Sequence, residues 1–498
     1  MKPLKHLLWK LLAGVSLAVA LLAGCTVGPR YHAPAPPTAA TYTPEPQPTE
    51  TVSAPGSAGS PQHFSQTTDI PAQWWTLFHS QGLDAMVREA LDNSPTLGQA
   101  AARLKEAQEE SNARTGATKY PSVSANVSAE REQLDLAVYG IPFPSPPPFN
   151  LLNGSVAVSY TLDLFGANRR LVEGLNAQVA YESWQLQAAR LMLAGNVVSA
   201  AIRQAQLRSQ IDITRQMVEL QEKELDITER RYQAGGVSEY DVRSQHTLVA
   251  QTRAELPSLE QQLDVINHQL AMLMGKSPAE AHVATISLDG LDLPQELPLS
   301  LPSLLVRQRP DIRAAESLLH QASANVGVAT ANLYPLIVLS GSGGGIGTSL
   351  TNGGDIWSLG ASLAQPIFNG GALRAEKRKA VAAYQEAGSV YQQTVLQAFR
   401  EVADSLQAIQ HDAQTLQART EAATQTEASY QIASQRYNAG GISQLVFLDA
   451  QRQQLQTTLD RTISVASRCS DSATLLQALG GGWWNDVQPV AVGSQVPK

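Results

Sequence analysis

Side chains that could do chemistry are sparse in this sequence. Its 9 histidines stand alone, no two within four residues, so the paired spacing that holds a metal on a helix is missing. No G-x-S-x-G, phosphate loop or CxxC pattern occurs either. Neither an enzyme nor a metal cofactor is expected. The Gly341 to Gly347 run lacks the Lys-Ser/Thr of a phosphate loop and reads as a small-residue strand end and loop. Of the 2 cysteines, Cys469 lies in a helical pattern and has no partner for an internal disulfide, so a buried apolar role is expected. Cys25 is different, because it closes an apolar run near the start of the chain. A thiol there, beside an amine freed by cleavage, is suited to acylation.

Lys2, Lys5 and Lys10 open that start, Leu11 to Ala23 is apolar, and Leu22-Ala23-Gly24-Cys25 ends it. The tetrapeptide resembles a bacterial lipobox, which implies cleavage before Cys25, diacylglycerol on the thiol and an N-acyl group. The apolar run falls short of the roughly 20 residues that span a bilayer as a helix. Acyl chains attach a protein to a membrane at about 0.8 kcal/mol per buried methylene without threading it through. Thr26 stands where Asp would resemble an inner-membrane retention signal, so delivery to the outer membrane is expected. Removing the three lysines takes the net charge from −8 to about −11, with no basic cluster, so nucleic acid is not an expected partner.

The elements that must position any site come in two similar sets. Arg231-Tyr232-Gln233-Ala234-Gly235-Gly236-Val237-Ser238 returns about 205 residues later as Arg436-Tyr437-Asn438-Ala439-Gly440-Gly441-Ile442-Ser443. Lys119-Tyr120-Pro121 returns as Leu333-Tyr334-Pro335, and Asp163-Leu164-Phe165-Gly166 as Pro366-Ile367-Phe368-Asn369. A unit of about 200 residues is too long for a solenoid repeat. One architecture built from two halves is implied, with a signal at 1–24, an extended Pro/Thr/Ala/Ser linker at 25–66, repeats at 67–280 and 281–482, and a tail at 483–498.

Each half changes period twice. Val123, Ala125, Val127 and Ala129 alternate with Ser122, Ser124, Asn126 and Ser128, the pattern of a strand with one apolar face. Strands are expected at about 122–130, 155–164, 336–344 and 356–367, with a Pro-rich loop from Leu134 to Asn153. Long proline-free stretches follow. Val395, Val402, Ile409, Leu416, Ala423, Tyr430 and Tyr437 recur every seven residues, and Ile211, Val218, Leu225 and Tyr232 keep that phase in the first half. A sustained seven-residue period winds packed helices into a left-handed supercoil. The fold class expected is mainly α, internally duplicated, with a long α-helical coiled-coil part and four strands per chain. No apolar stretch is long enough for a spanning helix, so any crossing uses strands. Four cannot close a barrel, since the smallest have about 8, and open edges are not tolerated in lipid. Two copies would give about 8 strands and three about 12.

The lipobox, Cys25-Thr26-Val27-Gly28-Pro29-Arg30-Tyr31, Trp74-Trp75, the two Tyr-Pro pairs, Leu162-Asp163-Leu164-Phe165-Gly166, both Arg-Tyr-x-Ala-Gly-Gly turns, Leu448-Asp449-Ala450-Gln451-Arg452 and Gly480-Gly481-Gly482-Trp483 together resemble the outer-membrane efflux ducts. These are the TolC-like family, in its lipidated NodT/OprM-like subgroup. The resemblance implies a homotrimer whose strands join one transmembrane β-barrel of about 12 strands, above a periplasmic α-helical barrel. It also implies an equatorial region where linker and tail pack, contact with outer-membrane lipid, a periplasmic membrane-fusion adaptor and an inner-membrane pump of the resistance-nodulation-division (RND) type. The expected function is the exit duct of a tripartite efflux system for small molecules such as drugs, toxic compounds or metal ions. A lipid-tethered coiled-coil spacer or adhesin is the rival reading, but it leaves the symmetric strands unexplained.

By the same resemblance the two turns are periplasmic tips. Gly235, Gly236, Val237, Gly440, Gly441 and Ile442 would meet the adaptor. Asp241, Asp449, Tyr232 and Tyr437 would form the gate just inside. The sequence departs from the TolC pattern at Val446 and Ile442, where a carboxylate and an arginine stand in TolC. Three copies of one Asp about a three-fold axis would still make a cation-attracting ring. The plainer readings are a solvated helix start for each Asp and seam packing for each Tyr.

Overall fold

The computed structural model describes residues 26–45, 47–56, 58–65, 69–135, 138, 140, 142 and 147–485. Cys25, the signal at 1–24 and the tail from 486 onward lie outside them. In chain order the elements are β1 (His63–Ser65), α1 (Gln81–Asn93), α2 (Pro95–Lys119), β2 (Ser122–Glu132), β3 (Phe149–Leu162), α3 (Ala167–Gln233) and α4 (Glu239–Leu273). They continue as β4 (Glu296–Pro298), α5 (Pro302–Gln308), α6 (Pro310–Ala331), β5 (Leu336–Ser349), β6 (Asn352–Ala364), α7 (Ala372–Asn438) and α8 (Gln444–Ala478). The α3 and α7 helices have 67 residues each, about 100 Å at 1.5 Å per residue. Among the described residues no helix is long and apolar enough to cross a membrane.

Two compact units emerge, and neither coincides with a repeat. One gathers residues up to Pro34, Arg103–Glu182 and Ala315–Tyr391; the other gathers Ala35–Ala102, Ser183–Ala314 and the rest from Gln392. Each draws on both halves of the duplication: the second strand of the first half, β3, pairs with the first strand of the second half, β5, and α3 of the first hairpin packs on α8 of the second.

The first unit holds an antiparallel sheet in the order β2-β3-β5-β6. Directly paired residues share a face, and the register aligns the alternation of all four strands. Val123 faces Val158, which faces Gly341, which faces Leu359. One row over, Ala125, Val156, Gly343 and Trp357 line up in the same way. One face is thus apolar and open, with Val127, Leu359 and Trp357 86%, 84% and 80% exposed. The other carries Ser122, Ser159, Ser340, Ser342, Ser358 and Ser362, and the Ser342 and Ser358 hydroxyls lie 2.8 Å apart. The strands run beyond the expected bounds on the sheet's far side, while β3 ends at Leu162 and β6 at Ala364, two and three residues short of them. Residues 149–153 belong to β3 rather than to the loop, and Gly343–Gly347 belong to β5. Neither stretch needs side-chain alternation, since backbone ladders hold it: residues 149–151 pair with β2, residues 152 and 153 with β2 and β5, and Gly343–Gly347 with β3 and β6.

The second unit holds the coiled coils. Val395, Val402, Ile409 and Leu416 are buried, with Ala398, Leu406 and Ala413 on the adjoining seam. Toward the turn Ala423, Tyr430 and Tyr437 are only half-buried. Ile213, Met217 and Leu220 of α3 cluster with Leu448 and Leu455 of α8, which ties the first hairpin to the second.

The described part of the extended linker is packed against the body, although its composition offers no core. Arg468 of α8 is wholly buried and donates to the carbonyls of Ala58 (2.7 Å) and Ser60 (3.0 Å), to Thr51 Oγ1 (2.9 Å) and to Gln62 Oε1 (3.3 Å). Gln62 in turn donates to the Pro294 carbonyl and to Ser472 Oγ, each at 2.9 Å. Beyond it β1 pairs in parallel with β4. The anchors are polar side chains and backbone groups, so the lack of large apolar residues did not prevent docking.

Candidate functional site

Both turns close in the same way. At the end of α3 the Gly236 N–H reaches the Arg231 carbonyl (2.7 Å) and the Gly235 N–H that of Tyr232 (2.8 Å). At the end of α7 Gly441 reaches Arg436 (2.7 Å) and Gly440 reaches Tyr437 (2.9 Å). This is the Schellman arrangement, with Gly235 (φ 75°) and Gly440 (φ 74°) in the left-handed region that favours glycine. Gly235, Gly236, Gly440 and Gly441 are exposed, while Val237 and Ile442 are half-buried.

The returning helices start differently. Ser238 caps α4 in a full capping box: its Oγ accepts from the Asp241 N–H (3.3 Å), and the Asp241 carboxylate accepts from the Ser238 N–H and hydroxyl, each at 2.8 Å. These bonds, with Arg231 nearby, hold the Asp241 carboxyl below the usual carboxylate range. Asp241 is therefore committed to its own helix. Ser443 caps α8 alone, accepting from Val446 N–H at 3.5 Å, because the equivalent of Asp241 is Val446.

Asp449 lies one turn further along α8. It is exposed and paired with Arg452, three residues on. Glu224 of α3 is buried close by. Burial raises its carboxyl, the Gln245 amide and Arg452 pull it down, and the Asp449 charge pushes it up again. Gln245 of α4 donates to Glu224 Oε2 at 2.9 Å. Asp449, Arg452, Glu224 and Gln245 thus form one electrostatic cluster contributed by three helices, and Asp241 is not among its hydrogen-bonded members. Arg452 is legible as the end of Leu448-Asp449-Ala450-Gln451-Arg452. Glu224 carries no such signal.

Tyr437 stacks on Phe447, centroids 5.1 Å apart and planes 8° from parallel, and Tyr430 stacks on the same ring at 5.7 Å. Phe447 also packs against the Ile213–Met217–Leu455 cluster. Sequence reasoning missed it, although Tyr430 and Tyr437, seven residues apart on one seam, imply a facing apolar partner. Tyr232 has Val242 where Tyr437 has Phe447, and it is 45% exposed.

The duplicated hairpins and the four-stranded sheet belong to a chain that has counterparts among known proteins. A profile of the outer membrane efflux proteins matches residues 86–276 and 301–481. The chain belongs to the outer membrane efflux protein family. It is 33% identical over 433 residues to the pyoverdine export outer membrane protein OpmQ of Pseudomonas aeruginosa, covering 86% of this chain and 90% of that one. It is 27% identical over 482 residues to the toluene efflux pump outer membrane protein TtgC of Pseudomonas putida, covering 95% of this chain and 96% of the relative. The solved outer-membrane channel OprN superposes with a TM-score of 0.79 at 28% identity, covering 92% of this chain and 100% of that chain. Within this efflux protein the two turns share the Schellman ending, while the capping box is complete only at Ser238 and Asp241.

Proposed function

We propose that this outer membrane efflux protein is the exit duct of a tripartite efflux system and acts as a homotrimer. In this reading it carries no catalytic site or cofactor. It passes small molecules delivered by an RND pump and a periplasmic adaptor that docks on Gly235–Val237 and Gly440–Ile442. The observation that carries the reading is the sheet. Its register gives one apolar face and one serine-rich face, and among the described residues its edge strands β2 and β6 have no strand paired on their outer sides. Unpaired edges are not tolerated in lipid, and β2 of one copy paired with β6 of the next closes three copies into about 12 strands, within the size range of outer-membrane barrels. The serine face then lines water and the apolar face meets lipid.

Lipidation of Cys25 belongs to the same reading, with diacylglycerol on the thiol and an acyl group on the amine as an auxiliary anchor. The gate assigned to Asp449, with Tyr437 packed beside it, is a ring of three carboxylates, each moderated by its own Arg452. Asp241 and Tyr232 serve that gate through the shape of their turn. Mass measurement of the purified protein in nanodiscs is the test, and three copies are expected. A stable folded monomer in lipid overturns the duct. Metabolic palmitate labelling tests the anchor, since Cys25→Ser should lose the label and still insert.

A further inference from the structure

The first described residues of the chain are docked. The Val27 N–H donates to the Phe165 carbonyl at 3.1 Å. Thr26 lies directly on Gly166, where an added Cβ would come within 2.7 Å of the threonine methyl. Gly28 has φ 96°, and a Cβ on it would fall 2.7 Å from the Gly327 Cα. Tyr31 stacks on His320 with centroids 4.2 Å apart and planes 14° from parallel, and His320 meets Glu173 at 3.0 Å. Four successive contacts fix the path of residues 26–31, which form a strap along the foot of the sheet.

A cleft of about 550 Å³ opens at that foot, between the end of α2, the end of β3 and the start of α3. Its apolar side is Tyr160, Leu162, Leu164 and Val172. Tyr160 and Leu162 continue the apolar face of the sheet, since they pair with Leu339 and Ile337. The polar side offers hydrogen-bond donors in Lys119, Asn168 and Arg169, beside an Asp163 carboxylate that already accepts from the Asn168 and Arg169 N–H groups. Leu164 is two residues from Gly166, at most about 7 Å of chain. Cys25 adjoins Thr26 and is one Cα step of about 3.8 Å away from it.

We propose that this cleft is the seat of the lipid carried by Cys25. The inference rests on the lipidation reading above. A diacylglyceryl, N-acyl cysteine has ester and amide carbonyls that only accept hydrogen bonds, joined to long apolar chains. The donors of the cleft suit the first, and Tyr160, Leu162 and Leu164 suit the second. The strap delivers the modified residue to this place and sets its depth relative to the sheet.

The test feeds expressing cells a palmitate analogue bearing a diazirine near its carboxyl end, irradiates the purified trimer and maps linked peptides by mass spectrometry. The expected product joins the Cys25 peptide to peptides containing Lys119 or Tyr160–Val172. In Gly28→Val, which forces a side chain onto Gly327, incorporation should be unchanged while that product falls several-fold. Label on Cys25 linked only to other segments overturns the proposal, as does phospholipid mass alone on the cleft peptides or indifference to Gly28→Val. Absence of label from Cys25 removes the lipidation reading itself, and the proposal with it.

Discussion

Tyr437 and Phe447 lie face to face across the second turn, rings 5.1 Å apart and 8° from parallel, and Phe447 carries that contact into the cluster that joins the two hairpins. Within one chain the turn is therefore braced by a ring stack. Tyr437→Phe keeps the stack and should leave single-channel conductance within experimental scatter. Phe447→Ala removes the common partner of Tyr430 and Tyr437 and should raise conductance, with an apparent stability loss of about 3 kcal/mol or less, since the ring is only partly buried. Conductance and thermal unfolding of the two variants check the ranking.

Asp449 and Arg452 should act in opposite directions. Asp449→Ala removes the proposed carboxylate ring, so conductance should rise and block by multivalent cations should weaken. Arg452→Ala leaves each Asp449 uncompensated and should strengthen that block, with larger effects at low salt because screening is weaker there. Titration of the block with a trivalent cation on assembled trimers measures both. Unchanged block in both variants returns Asp449 to the role of a solvated helix residue.

Asp241 is bonded to the Ser238 amide and hydroxyl, so its loss should be felt locally. Asp241→Ala should speed amide exchange over the first turn of α4 while leaving cation block near the parental value. A change in block as large as that of Asp449→Ala would place Asp241 in the duct lining instead. Hydrogen exchange by mass spectrometry, beside the block measurement, separates the two.

Asp412 gives the second unit a pH dependence. Its carboxyl is pushed up to about 7 by burial and by the neighbouring Asp471 carboxyl, against the pull of Arg468. The folded chain thus keeps a proton that the unfolded chain has shed above about pH 4. Its contribution to stability is full below pH 4, falls as pH rises toward 7 and is flat beyond. Asp412→Asn carries no such proton. Thermal unfolding of both proteins from pH 4 to 8 should show the parental melting temperature falling relative to the variant up to about pH 7.

Much of this was readable from periodicity. The seven-residue seam through Val395, Val402 and Ile409 and the alternation from Ser122 to Ala129 mark burial and pairing that local pattern dictates. Glycines 235 and 440 announced their turns because only a left-handed residue ends a helix in that manner. What pattern could not show was contact between distant polar groups. Arg468 reaches Thr51 across 417 positions, and nothing in a Pro-rich linker signals that its carbonyls will be claimed. The capping box is legible in Ser238 and Asp241, three residues apart at a helix start. Glu224 was missed because a lone carboxylate on a helix usually faces water, and its burial depends on the seating of α8 against α3.

The central claim is that copies of this chain enclose a water-filled path across the outer membrane. Purified, mass-verified trimer added to a planar lipid bilayer tests it most directly. Uniform stepwise conductance increments are predicted, larger in Asp449→Ala and abolished by prior unfolding. A folded, membrane-inserted trimer that passes no current in either form, at any voltage the bilayer withstands, would contradict the account.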